Sequence, residues 1–283
     1  MGERICPGLP ADWLNAWLAA VGATVLCPDL RLSWTDEPTP VAVLHADGDP
    51  LERLRAAWPT VEELAELPIV RRLDGHEELP PNPTVDAYID RAAVARSDAR
   101  GWSLSALFTD LAWSEREKAH VIAKGFFTAP APGPVGTVHD RLLKVADSAP
   151  PDQLEQVLAG SGPRVGAFGL GFDVTRLLSR ADRTAGQVIP HIEVLAFFGL
   201  ALLPVRGDGR RAVHRGTAGR GTAFRWWTWR NPLSAASIDA LLDLAAVGSS
   251  PLRLLGVTRA FETVRYQAPQ PESLVALGSR PVR

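Results

Sequence analysis

Residues 206–230 are RGDGRRAVHRGTAGRGTAFRWWTWR, a segment rich in arginine, glycine and aromatic residues. The aromatic and β-branched residues of 222–230 favour a strand, and the loop 216–221 has the glycine content of a hairpin connection. Val213 and Arg215 precede this loop at the two-residue spacing of a strand. The segment therefore predicts an antiparallel hairpin of strongly basic character.

The chain after this hairpin predicts one helix and one or two further strands. Ser234 is a suitable N-cap, and the helix is expected to end near Gly248. Its apolar residues recur at helical spacing, namely Ile238, Leu241, Leu242 and Leu244. Residues 252–266 are predicted as strand, and the proline-containing tail from Ala268 is expected to be peripheral.

An amphipathic helix with a tryptophan-rich face is predicted close to the N-terminus. Asp12 is placed as its N-cap and Gly22 as its C′ residue. The apolar residues at helical spacing are Trp13, Leu14, Trp17, Leu18 and Val21. Two short strands, 30–34 and 41–45, follow it.

Helices dominate the predicted middle of the chain. The spacing of Leu104, Leu107, Phe108 and Leu111 predicts a helix over 103–123. Residues 125–137 hold three prolines and three glycines, which predicts a long loop. Other helices are predicted at 84–97, 137–146, 151–158 and 191–203.

The fold class that follows is α+β, with a helix-rich middle and a small, mainly antiparallel sheet that includes the basic hairpin in the C-terminal third. Two domain organisations fit this pattern. The first is a single α+β domain over 1–283, and the second divides it into an N-terminal lobe, 1–124, and a C-terminal lobe, 138–283, that carries the hairpin.

The charge of the chain is unevenly distributed. The net charge is −2, yet residues 206–230 hold seven arginines and one acid, for a local charge of +6. Arginine side chains neutralise phosphates, and aromatic rings stack on unpaired bases. The candidate nucleic-acid contacts are Arg206, Arg210, Arg211, Arg215, Arg220, Arg225, Arg230 and Trp226. Trp227 and Trp229 share one strand face and are expected to be buried, which leaves Trp226 for stacking; the alternative is that the tryptophans are core and the arginines a solvated face.

A second basic patch flanks the proline- and glycine-rich loop. Its candidate contacts are Lys118, Lys124, Arg141 and Lys144, and all three lysines of the chain are among them. Three nearby acids, Glu115, Glu117 and Asp140, dilute its charge. If this patch and the arginine hairpin lie on one face, the two together form a groove.

Signatures of the common enzyme classes are absent from the sequence. It has no phosphate-binding GxxxxGK[ST] loop, no GxSxG nucleophile elbow, no HExxH pair, no helicase motifs and no HD nuclease signature. Neither a metal site nor a cofactor is expected. The histidines beside basic residues, His120, His139 and His214, are the candidates for a general base. Each of them is equally compatible with a solvated histidine that has no catalytic role.

Composition bounds the class of protein. No apolar run approaches the ~20 residues that span a bilayer, and the N-terminus lacks the pattern of a secretory signal. The two cysteines, Cys6 and Cys27, are too few for a disulfide framework or a four-cysteine zinc site. We therefore expect a cytoplasmic protein with two reduced thiols and no membrane association.

Several stretches together resemble proteins of type I-G (formerly I-U) CRISPR loci in high-GC bacteria, of the short accessory or large-subunit-like kind. They are LNAWLAAVGATVL (14–26), LRLSWTDEPTPVAVL (30–44), EREKAHVIAKGFFTAPAPGPVGTVHDRLLKV (115–145), IEVLAFFGLALLPVRGDGRR (192–211) and FRWWTWRNPLSAASIDALL (224–242). The turn VRGDGRR at 205–211 is the most specific of these. The resemblance covers most of the chain.

The resemblance implies a non-catalytic subunit or accessory factor of an RNA-guided surveillance complex, which contacts guide RNA or target DNA in antiviral defence. Its expected partners are other CRISPR-associated subunits and the nucleic acid itself. Two alternatives remain open. One is a metal-independent ribonuclease that processes guide RNA, and the other is a protein–protein adaptor that links the complex to its helicase–nuclease through exposed tryptophans.

Overall fold

The chain has an α+β fold in which small antiparallel sheets pack with helices around a shared hydrophobic core, as the sequence predicts. The computed structural model describes residues 2–67, 86, 89, 93, 108–116, 118–124, 135–167, 169–170, 187–207, 212–218, 223–247, 252–267 and 275–282. Within these ranges some strand and helix residues are described by their backbone alone.

The strands are β1 (Gly2–Pro10), β2 (Arg31–Trp34), β3 (Val41–Ala46), β4 (Phe108–Ser114), β5 (Ala119–Lys124), β6 (Val165–Gly166), β7 (Gln187–Val188), β8 (Val205–Gly207), β9 (Ala212–His214), β10 (Thr217–Ala218), β11 (Ala223–Trp229), β12 (Val257–Gln267) and β13 (Val275–Val282). The α-helices are α1 (Leu14–Leu26), α2 (Pro50–Ala56), α3 (Val61–Ala65), α4 (Val135–Ala146), α5 (Leu154–Leu158), α6 (Pro190–Gly199) and α7 (Ala235–Val247). Single 3₁₀ turns at Pro151–Gln153 and Leu200–Leu202 adjoin α5 and α6.

Helix α1 is buried along almost its whole length, so the prediction of an amphipathic helix is wrong. It packs against α6 on one side and against β1 and β2 of the N-terminal sheet, whose strand order is β1-β3-β2. Every residue of α1 except Val25 is buried. The helix begins after Trp13 without a side-chain cap, and Gly22 lies inside it rather than beyond its end.

Two glycines allow α1 and α6 to approach each other closely. A Cβ atom at Gly22 would overlap the carbonyl oxygen of Leu195, and one at Gly199 would overlap that of Leu18. The two backbones are therefore in direct contact, with no side chain between them. This contact explains why a glycine is required in the middle of α1 although it lowers helix propensity.

The C-terminal sheet has the strand order β10-β11-β12-β13 and is antiparallel throughout. Strand β10 pairs with β11, Thr217 with Phe224 and Ala218 with Ala223, so an antiparallel hairpin precedes Trp226 as predicted. Its first strand, Thr217–Ala218, lies within the predicted loop, whereas the predicted arm at Val213 belongs to β9, which pairs with β8 instead. Strand β13 pairs with β12 at every position from Val275 to Val282. The tail therefore contains a strand that the sequence did not predict, at the edge of the sheet, where its described side chains, 279–282, are exposed or half-buried.

Three buried indole groups join this sheet to the N-terminal half of the chain. Trp226 donates to the carbonyl oxygen of Ala11 at 2.7 Å, and Trp229 donates to that of Leu32 at 2.7 Å. In the opposite direction, Trp17 of α1 donates to a main-chain carbonyl of β11 at 2.9 Å. A buried N–H without a partner is costly, so these bonds fix how the sheet sits on α1 and β2.

Strands β4 and β5 form an antiparallel hairpin where the sequence predicts a helix over 103–123. Its turn contains Glu115 and Lys118, and Lys118 has the left-handed φ of 51° that is uncommon outside glycine. Strand β4 lies against β8 and β9. The predicted helices at 137–146, 151–158 and 191–203 are present, as α4, the 3₁₀ turn with α5, and α6 with its following turn.

None of the helices that the structure describes is long and apolar enough to cross a membrane. Cys6 and Cys27 are buried and unbridged, as expected. Burial raises the pKa of the Cys6 thiol to about 12, although the nearby Arg4 and a backbone hydrogen bond act in the opposite direction.

Candidate nucleic-acid interface

Trp226 is fully buried, so the expectation that it is exposed for base stacking is wrong. Its ring lies stacked between Phe224, at a centroid distance of 6.1 Å, and Phe261 of the neighbouring strand, at 5.8 Å. Trp227 and Trp229 are also buried, as expected. From Trp226 to Trp229 strand β11 is thus buried on both faces, and its aromatic residues belong to the core.

Arg215 also does not face solvent, contrary to expectation. Its side chain is 2% exposed and lies against α7, where it contacts the carboxylates of Asp239 and Asp243, the latter at 2.7 Å. The same guanidinium donates to the carbonyl oxygen of Leu202 at 2.7 Å. Arg215 therefore fastens the chain between β9 and β10 to α7, and its charge is neutralised by the protein itself.

Arg225 and Arg230 are exposed, and each is paired with a carboxylate. Arg225 donates from Nε to Glu262 at 2.5 Å, with its own side chain 45% exposed. Arg230 pairs with Asp36 at 3.0 Å, and both side chains are about two-thirds exposed. Exposed ion pairs contribute only about 0–1 kcal/mol, so an external phosphate can compete with Asp36 for Arg230. The partner of Arg225 is different, because the Glu262 side chain is only 10% exposed.

The other four arginines of the predicted hairpin are less completely described. Arg206 lies in β8, and its side chain is outside the described part of the chain. Arg210, Arg211 and Arg220 lie outside the described residues altogether.

The second basic patch is divided between a hairpin turn and a helix. Lys118 is exposed and pairs with Glu115 at 2.7 Å. Lys124 ends β5, with its side chain outside the description. On α4, Arg141 is partly buried and its pKa is lowered by that burial, whereas Lys144 is exposed. Because β4 lies against β8 and β9, the hairpin that carries Lys118 and Lys124 neighbours the arginine-rich segment.

A carboxylate on the C-terminal sheet that was not among the predicted site residues is held between two arginines. Glu262 of β12 is directly paired in register with Arg225 of β11 on one side and with Arg280 of β13 on the other. Arg280 donates from Nη2 to Glu262 Oε1 at 3.0 Å, while Arg225 takes Oε2. Burial alone would raise the pKa of Glu262, but the hydrogen bonds and charges of the two arginines outweigh it, and the pKa is lowered.

Arg225, Glu262 and Arg280 thus form a row across three strands. Two further exposed arginines are Arg253, in the turn before β12, and Arg259 within β12, three residues from Glu262 and therefore on the opposite face of the sheet. Neither forms an ion pair with any residue that the structure describes. The neighbours of Arg259 in the sheet depend on strand register, which the sequence alone does not give.

The candidate general bases are not assembled into a site by the described residues. His120 is exposed and packs edge-on against Trp113 at a centroid distance of 5.5 Å. The side chains of His139 and His214 lie outside the description. No group of three or more His, Cys, Asp or Glu residues that could hold a metal ion occurs among the described residues.

Two other buried polar groups have structural partners. Glu193 of α6 accepts from Asn15 of α1 at 2.5 Å and from the backbone N–H of Leu170 at 2.6 Å. His191 lies 2.7 Å from the carbonyl oxygen of Pro150, and burial lowers its pKa. These contacts hold α6 in place.

No protein-family model matches the chain, and neither the search of curated proteins nor that of solved structures gives a match.

Proposed function

We propose that the chain is a non-catalytic subunit or accessory factor of a type I CRISPR RNA-guided surveillance complex, and that its C-terminal sheet contacts the phosphate backbone of guide RNA or target DNA. Its partners are then other CRISPR-associated subunits and that nucleic acid, and it acts in the cytoplasm. The resemblance of the sequence to type I-G proteins supports the assignment to a surveillance complex. The charge of the C-terminal sheet supports the contact with nucleic acid.

The observation that carries the proposal is an excess of exposed arginines on and beside the C-terminal sheet. The described side chains of 223–230, 252–263 and 279–282 include five arginines and one acid, Glu262. All five are exposed, namely Arg225, Arg230, Arg253, Arg259 and Arg280. A local excess of positive charge of this kind attracts a polyanion even though the whole chain carries a net charge of −2.

The proposal is tested by binding of the purified chain to labelled single-stranded RNA, single-stranded DNA and duplex DNA at several salt concentrations. We expect the logarithm of the binding constant to fall linearly with the logarithm of salt concentration, by about 0.7 per phosphate contacted on a single strand. The double variant Arg253→Gln/Arg259→Gln should bind more weakly with a smaller slope. A matched control, Arg31→Gln/Arg53→Gln, removes two exposed arginines from the N-terminal half and should leave the binding constant and the salt slope unchanged.

Two results would overturn the proposal. The first is a chain that binds none of the three nucleic acids at low salt and does not co-purify with other proteins of a CRISPR locus. The second is cleavage of repeat-containing RNA in EDTA that is abolished by His120→Gln, because the chain would then be a ribonuclease.

A further inference from the structure

We propose that Arg225, Glu262 and Arg280 form a preorganised grip for a nucleic-acid phosphate, in which the carboxylate positions the two guanidinium groups and the guanidinium groups bind the phosphodiester. This inference rests on the proposed function and assigns the contact to one place on the sheet.

The geometry fixes the two arginines side by side. Their residues lie on strands separated only by β12, roughly 10 Å apart at the backbone, and both side chains reach inward to the same carboxylate. Arg225 uses Nε for this bond and Arg280 uses Nη2. The remaining N–H groups of both guanidiniums are free of bonds to the described residues and are left for an external acceptor.

The three side chains differ in burial and charge, and these differences assign them different roles. Glu262 is 10% exposed at its side chain, whereas Arg225 is 45% and Arg280 65% exposed. The anion of the protein therefore lies beneath the two cations. The row keeps one uncompensated positive charge at its surface, and planar guanidinium groups in fixed orientation match the oxygens of a phosphate better than a mobile ammonium does.

The first test replaces arginine by lysine, which changes the shape of the cationic group and keeps its charge. In the assay above, Arg225→Lys/Arg280→Lys is compared with Arg253→Lys/Arg259→Lys, which makes the same chemical change at the two arginines outside the row. We expect the first double variant to weaken binding by about fivefold or more and the second by about twofold or less, because lysine cannot reproduce the oriented fork. Equal preference for RNA and DNA identifies the shared phosphodiester as the ligand, and a preference for one identifies its source.

Removal of the carboxylate gives an independent measurement. Glu262→Gln adds one positive charge, as does Asp36→Asn, which releases Arg230. If Glu262 positions the arginines, we expect Glu262→Gln to weaken binding and Asp36→Asn to strengthen it. Circular dichroism and urea unfolding are used to check that both variants are folded.

The outcomes separate the two proposals. Suppose that the wild-type chain binds nucleic acid. The grip alone is then overturned if Arg225→Lys/Arg280→Lys binds equally well, or if Glu262→Gln binds as tightly as wild type or more tightly. A wild-type chain that binds no nucleic acid overturns the proposed function, and the grip with it.

Discussion

Replacement of Arg215 by methionine should destabilise the protein without directly affecting nucleic-acid binding. Methionine keeps much of the apolar length of the side chain and removes the guanidinium that joins the chain after β9 to α7. The change leaves Asp239 and Asp243 one helical turn apart without their common cation, and it removes a bond to the carbonyl oxygen of Leu202.

The expected loss follows from the exposure of the partners. Removal of one member of a fully buried ion pair costs about 3–5 kcal/mol. Here Asp239 and Asp243 are 46% and 40% exposed, so water can solvate both carboxylates after the change. We therefore expect a lower value, about 2–3 kcal/mol, which includes the lost hydrogen bond to Leu202. This is a large part of a typical unfolding free energy of about 5–15 kcal/mol.

Urea unfolding followed by tryptophan fluorescence measures this loss, because most of the described tryptophans are in the core. The matched control is Arg253→Met, at an exposed arginine without an ion pair among the described residues, for which a change within about 0.5 kcal/mol is expected. If Arg215→Met is no less stable than this control, the assignment of Arg215 as a buried fastening is wrong. A folded Arg215→Met chain with a reduced salt slope would also contradict it.

Three further predictions concern the core and the sheet. Gly22→Ala should lower the unfolding free energy by about 1–3 kcal/mol in urea titrations, because its methyl group meets the carbonyl of Leu195, while Gly166→Ala, with open space around it, should be close to neutral. Because the pKa of Glu262 is lowered on folding, its stabilising effect is present above the ordinary glutamate value and is lost as the pH falls below it. The stability difference between wild type and Glu262→Gln should thus shrink below pH ~4, and a gap that is constant with pH would contradict this. Cys6 should react with a thiol reagent at pH ~8 only after unfolding, since burial raises its pKa to about 12; rapid labelling of the native chain would show that it is accessible.

Local sequence signals were sufficient to predict a hairpin that ends in β11, although not the position of its first strand, and insufficient for the hairpin at 108–124. The first has glycines in its loop, which mark a turn. The second turns through charged residues that are equally common in helices, with Lys118 in a left-handed conformation. The apolar spacing near Phe108 matches a helical period, so the sequence alone favours the wrong element there.

The alternation of side chains along β11 could predict the burial of only some of its tryptophans. The two faces of a strand differ in exposure when one of them is solvated. This alternation correctly predicts that Trp227 and Trp229 are buried. It fails for Trp226, because the face that Trp226 shares with Phe224 and Phe261 is buried as well: Trp17 of α1 packs edge-on against Phe224, and the Trp226 indole donates to the carbonyl oxygen of Ala11. Strands covered on both faces give no alternating signal.

The charged partners of the arginines could not be predicted from neighbouring residues, because strand register determines them. Glu262 follows Arg225 by 37 residues and becomes its neighbour only through the pairing of β11 with β12. Arg280 enters the row through β13, whose Gly278 and Pro281 argue against a strand in the sequence.

The indole bonds between the chain's two halves also bear on its synthesis. They connect residues 197 to 215 positions apart, so β2 and the residues around α1 emerge from the ribosome long before their partners in β11. Until then the apolar surface of α1 has no covering from α6 or β11. A nascent chain in this condition is prone to aggregation, and its yield in a cell should rise when a chaperone shields that early segment.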